Sequence, residues 1–120
     1  MSDFDIYEMS MLIDFYGQLL TESQLKCLDM HYNQDLSLAE IAEELEISRQ
    51  GVHDFIKRGR AMLCEYEEKL GLLARFQEVK RQLESLQDDF NFMDRSMLAE
   101  GDLYLVEQME KKLFEIISKL

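Results

Sequence analysis

Apolar positions recur at steps of three and four along most of the chain. Met9, Leu12, Ile13, Tyr16, Leu19 and Leu20 fall on one face of a first helix, because a 3.6-residue repeat turns such positions into a single stripe. Thr21 and Gln24 then match a capping box, in which each side chain satisfies a backbone N–H at a helix start; Leu25, Leu28 and Tyr32 follow on one stripe. Ser37 with Glu40 repeats the device before Leu38, Ile41, Ala42 and Leu45, a short amphipathic helix ending near Glu46. Ser48 caps a fourth helix that turns Val52, Phe55, Ile56, Met62 and Leu63 inward, and Gly71 ends or kinks it.

Beyond Gly71 the spacing tightens to alternating fours and threes through Leu72, Phe76, Val79, Leu83, Leu86, Phe90, Met93 and Met97. A 3.5-residue repeat held this long belongs to helices that wind against a partner helix. A second seam, Val106, Met109, Leu113, Ile116 and Leu120, closes the chain, and the stretch 94–102 with Gly101 is the expected turn between the two. The expected organisation is a domain over residues 1–70 and C-terminal amphipathic helices over 71–120, packed on the first part or pairing Leu72–Leu120 between two chains as a homodimer.

Composition narrows the fold to one class. The 120 residues are 47% hydrophobic, enough for a core, and they contain no proline and five glycines, too few breakers for the many turns of a sandwich or barrel. The fold class expected is all-α. The acidic start lacks the positive charge of a secretory signal and no window reaches the length of a membrane span, so a cytoplasmic location is expected. Cys27 and Cys64 lie in no metal-binding spacing and are expected to be buried free thiols.

The formal net charge is −12, unevenly spread. Residues 1–48 carry eleven acids against Lys26 alone, residues 49–81 carry eight bases against five acids, and the remainder is acidic again. Contact with nucleic acid, if made, must be local to the middle stretch, because the chain as a whole repels phosphate.

That stretch contains the chain's one recognisable device. The helices Ser37–Leu45 and Arg49 onward are joined by Glu46-Ile47-Ser48, so they must cross steeply; Ala42 gives room at the crossing, and Ile41, Leu45, Ile47, Val52 and Phe55 form the apolar wedge. In a helix-turn-helix the second helix offers its outward N-terminal residues to the major groove, here Ser48, Arg49, Gln50, His53 and Lys57, with Lys57, Arg58 and Arg60 placed for phosphates. Arginine reads guanine and glutamine reads adenine in bidentate fashion. Three features oppose this use. Glu46 stands where glycine is usual, at a cost of about 1 kcal/mol if its φ is positive. Asp54 lies on the presenting helix, and Glu40, Glu43, Glu44 and Glu46 make the preceding helix acidic.

The stretch from Asp35 to Val52 resembles the helix-turn-helix of bacterial sigma factor region four. It is more similar still to the YlxM family, whose characteristic pieces match Leu19–Gln24, Asp35–Glu44, Ile47–Val52, Ile56–Arg58 and Tyr66–Leu70 in order. The resemblance implies a cytosolic, all-helical protein. Genes of that family typically neighbour those of the signal recognition particle GTPases, which implies a regulatory part in that targeting pathway. It carries over no established functional residue, although Arg49, Gln50, Lys57 and Arg58 match the family's motif.

Catalysis is not expected. His31 and His53 have no partner at ligand or triad spacing, the acidic runs read as solvated faces, and no glycine loop suits a phosphate, so neither metal nor cofactor is expected. Two binding roles remain. In one, the protein is a nucleic-acid-binding regulator, contacting DNA or signal recognition particle RNA through the residues above and through Arg75, Lys80 and Arg81. In the other, an acidic surface docks on the particle's basic GTPase. The basic cluster at 57–60 has a plainer reading as a solvated face balanced by Glu65, Glu67 and Glu68.

Overall fold

The computed structural model describes residues 3–120. Every regular element among them is helical: α1 Ile6–Tyr16, a 3-10 turn Gly17–Leu19, α2 Glu22–Tyr32, α3 Leu38–Leu45, α4 Arg49–Leu70, α5 Leu72–Phe92 and α6 Glu100–Ser118. They form two compact units, residues 1–74 and 75–120. The chain is thus an all-helical protein with a helix-turn-helix domain and a helical extension.

In the first unit the helix starts are set locally. Asp5 with Glu8, Thr21 with Gln24 and Ser37 with Glu40 each form a complete capping box, and Ser48 Oγ accepts from the Gly51 amide at 2.9 Å. The core gathers Met9, Leu12, Ile13 and Tyr16 of α1, Cys27, Leu28 and Met30 of α2, Ile41 and Ala42 of α3, Val52, Ile56 and Leu63 of α4, and Leu73 at the start of α5. Two expected core positions lie outside it. Leu19 is 56% exposed, because the chain leaves the α-helix at Gly17 and the 3-10 turn rotates Leu19 off the stripe. Ile47 is 37% exposed, since it belongs to the turn and not to either packed face.

Helix α4 approaches α2 at Gly59, where even a methyl group would lie 2.6 Å from Leu28 Cδ1. A glycine in mid-helix costs about 1 kcal/mol in propensity, so the close approach is its physical reason. Gly71 ends α4 in the left-handed region at φ 64°. Glycine carries no cap for the helix that follows, and a distant group supplies it. The Glu67 carboxylate, 9% exposed, accepts from Tyr16 Oη at 2.7 Å, from the Leu73 amide at 2.9 Å and from the Ala74 amide at 3.1 Å. Tyr16 Oη in turn accepts from the Leu72 amide at 3.1 Å. Of the three glutamates expected on a solvated face, Glu67 is therefore misassigned: it is a buried cap, while Glu65 pairs with Lys69 on the surface.

The second unit comprises α5 from Arg75 and α6. Arg95 in the connecting turn pairs with Glu110 of α6 and donates to the Phe90 carbonyl of α5 at 2.8 Å, and within the turn Asp94 accepts from the Ser96 amide and hydroxyl. The turn spans 93–99, shorter than expected, with Gly101 inside the first turn of α6. Of the two seams only Phe90 and Leu113 are buried within this unit; Val79, Leu86, Met109 and Ile116 are exposed, and Met97 falls beyond α5 altogether.

Candidate nucleic-acid interface

The turn between α3 and α4 is closed by backbone bonds. Glu46 has φ 57° and ψ 43°, the left-handed conformation, and the Ile47 amide donates to the Ala42 carbonyl at 3.1 Å. This is the usual way to satisfy the last carbonyls of a helix, with glutamate where glycine would be unstrained. The turn aims α4 away from α3 with its first residues at the surface.

Ser48, Arg49, Gln50, His53, Lys57, Arg58 and Arg60 are all exposed. They do not form one uniform surface. The Ser48 oxygen accepts the bond that caps α4, which leaves its O–H free to donate outward. Gln50 Nε2 donates to Asp54 Oδ1 at 3.1 Å, and His53 Nδ1 lies 3.6 Å from the same oxygen. Asp54 thus holds Gln50 by a hydrogen bond, which that side chain must leave to read a base, while His53 lies beside it without one. By contrast Arg49, Lys57, Arg58 and Arg60 form no ion pair among the described residues, although acids outnumber bases in the chain by nearly two to one. Arg75, Lys80 and Arg81 belong to the other unit, and Arg81 is paired with Glu78.

A cleft of about 520 Å³ lies beside this face, within the first unit. Ile56, Ala61 and Leu38 supply its apolar lining, and His31, Tyr32, His53, Lys57, Arg60, Cys64 and Asp3 its polar groups. The His31 and Tyr32 rings meet edge to face with centroids 4.8 Å apart, and His31 Nδ1–H donates to the Leu36 carbonyl at 3.1 Å. Burial pushes the Tyr32 phenol and the Cys64 thiol up from their ordinary values, and the positive charge of Arg60 acts on both in the opposite direction. Cys27 is likewise raised by burial, so neither thiol is an activated nucleophile. The sequence placed His53, Lys57 and Arg60 on one helix; it did not bring His31 and Tyr32 to them, because those side chains come from the end of α2. A histidine and a tyrosine adjacent at a helix end were the available signal. Among the described residues no cluster of His, Cys, Asp and Glu has the arrangement of a metal site, and no helix is long and apolar enough to cross a membrane.

Comparison with known proteins gives the lineage of this arrangement. The chain is 47% identical to the UPF0122 protein of Acetivibrio thermocellus over 112 residues, 93% of this chain and 96% of that one. It is 46% identical over 102 residues to the UPF0122 protein of Halalkalibacterium halodurans, covering 85% and 91% of the two chains. With that of Thermoanaerobacter sp. strain X514 the identity is 39% over 114 residues, 95% and 97% of the two. Residues 5–102 match the family described as "Putative helix-turn-helix protein, YlxM / p13 like". From the first capping box through all of α5 to the start of α6, this chain belongs to the YlxM/p13-like family of helix-turn-helix proteins.

Proposed function

We propose that the protein is a non-catalytic, cytoplasmic regulator that binds nucleic acid through the exposed face of α4. The observation that carries this reading is a set of four cations on the presenting helix, Arg49, Lys57, Arg58 and Arg60, none of which forms an ion pair among the described residues of a chain whose net charge is −12. Such a chain gains nothing for its own fold by leaving them unpaired, while a phosphate backbone takes each and releases a counterion. Arg49 and Gln50 stand at the start of the helix, where base edges are read, and Lys57, Arg58 and Arg60 further along, where backbone contacts fall.

The target extends from this reading to signal recognition particle RNA, which rests on the family resemblance and its gene neighbourhood. An RNA duplex does not admit α4 to its deep major groove, so contact with RNA falls on loops or backbone. Fluorescence anisotropy of a labelled DNA duplex and of that RNA, at about 50 and 150 mM salt, separates the two. Arg49→Ala and Lys57→Ala are each expected to weaken binding, with the salt slope falling by about one per lost phosphate contact. Wild-type affinity in both variants would overturn the assignment.

A second reading is favoured by the acidic face of α3, where Glu43 and Glu44 are exposed. Docked on the particle's basic GTPase, they would speed encounter by charge complementarity. Reversal of both to lysine then lowers affinity for that GTPase, whereas the Arg49 and Lys57 variants leave it unchanged. The exposed seam residues of the second unit fit a homodimer, and Leu83→Asp with Leu86→Asp should halve the mass in sedimentation. An unchanged mass would remove the dimer.

A further inference from the structure

We propose that the cleft between α4 and the α2–α3 corner is a binding site for a nucleoside phosphate. Its volume, about 520 Å³, lies in the range of small-molecule sites, and its lining is divided as such a ligand requires. Ile56, Leu38 and Ala61 offer an apolar floor, and the perpendicular His31 and Tyr32 rings offer π surfaces suited to a base. Lys57 and Arg60 supply two full positive charges that no carboxylate of the described residues neutralises by ion pairing. Arg60, exposed at its outer end, lines the cleft together with Tyr32 and Cys64.

The remaining polar groups fit the same class. His31 commits Nδ1–H to the Leu36 carbonyl and leaves Nε2 for a ligand, and Asp3 is an acceptor of the kind that takes ribose hydroxyls. Asp3 also disfavours a bare polyanion, which limits the cleft to few phosphates. Inorganic phosphate alone would leave the apolar floor and the rings unused, and an uncharged nucleoside would leave Lys57 and Arg60 uncompensated. The base and the phosphate are both needed. A nucleotide of this class arrives either free or as one residue of a bound strand, since His53 and Lys57 belong to the cleft and to the presenting face alike. The site stands on the cleft's own chemistry and does not depend on the proposed reading of DNA or RNA.

The test is a heteronuclear NMR titration of the full chain with AMP, adenosine, inorganic phosphate and a single-stranded oligoribonucleotide. Saturable shifts with AMP at His31, Tyr32, Leu38, His53, Lys57, Arg60 and Cys64 are expected, with adenosine and phosphate each at least about tenfold weaker. Arg60→Gln should weaken AMP about tenfold while the spectrum stays dispersed, the loss typical of one charge-assisted bond. Arg49→Gln, outside the cleft, should leave AMP unchanged, so failure of the nucleic-acid reading and failure of this one are separable. An oligonucleotide that shifts the same residues at about tenfold lower concentration than AMP would support the chemistry and assign its source to a strand. No saturable shift at about 10 mM AMP, phosphate binding as tightly as AMP, or an Arg60→Gln variant of unchanged affinity would overturn the proposal.

Discussion

Removal of the Glu67 carboxylate tests the cap that starts α5. Glu67→Ala deletes the acceptor of three donors, of which Tyr16 Oη and the Leu73 amide are buried while Ala74 is exposed. Water can replace the bond at Ala74. The other two donors lose a charged partner where water has little access, and bonds to charged groups contribute about 1.5–3 kcal/mol each, so the expected loss is about 3–5 kcal/mol. Glu67→Gln retains one carbonyl acceptor but turns an NH₂ toward an N–H, at a cost of about 2–3 kcal/mol. Tyr16→Phe removes one donor and the acceptor for Leu72, at about 1–2 kcal/mol. Urea unfolding followed by circular dichroism measures each, provided the slope is unchanged between variants. The Tyr16→Phe and Glu67→Ala pair should couple by at least about 1 kcal/mol in a double-mutant cycle, because each change removes the one bond the two groups share. A Glu67→Ala cost below about 1 kcal/mol, or additivity within about 0.5 kcal/mol, would refute the cap.

Other perturbations reach different parts of the fold. Glu46→Gly should stabilise by about 0.5–1 kcal/mol, the relief of left-handed strain less the entropy of a freer unfolded chain, and Glu46→Ala should not; thermal melts decide between them. Gly59→Ala should destabilise by about 1–2 kcal/mol, as overpacking against Leu28 exceeds the gain in helix propensity, and a gain in melting temperature would show that the helices can part freely. Asp54→Asn should strengthen DNA binding about three- to tenfold by removing a like charge from the presenting helix, and unchanged affinity would place the phosphates elsewhere. Tyr16 and Tyr32 have raised pKa values, chiefly from burial, as do Cys27 and Cys64. For such groups the folded state holds the proton more tightly than the unfolded one, so stability is full below pH 9 and falls as pH rises through the elevated values; urea midpoints that rise from pH 9 to 11 would contradict this.

What could be read from the residues was what is decided within one turn of helix. The boxes at Thr21–Gln24 and Ser37–Glu40 were legible because donor and acceptor lie three residues apart, and the strain at Glu46 because a three-residue turn leaves few conformations. The same three-residue spacing joins Asp5 and Glu8 at the start of α1. Glu67 was not legible, since its partner Tyr16 is 51 residues away and nothing local distinguishes it from Glu65 or Glu68. Leu19 and Ile47 failed for the opposite reason: periodicity assigned Leu19 to a stripe and apolar character assigned Ile47 to the wedge between two helices, and local turn geometry leaves both exposed. The candidate cations were legible as a set, but their division between an open face and a cleft depends on where the end of α2 comes to rest. Gly59 had a signal of its own, a glycine in the middle of a long helix with no turn to make.

That glycine has a consequence for how the chain can change over time. Gly59 and Leu28 occupy one shared volume, with no room for a methyl group between them. A lineage that gains a side chain at 59 must move or shorten the one at 28, or else let α4 drift from α2 and carry His53, Lys57 and Arg60 with it. Positions 28 and 59 should therefore exchange bulk in compensating pairs across relatives, and a relative that breaks the pairing should be one whose α4 no longer needs its bearing.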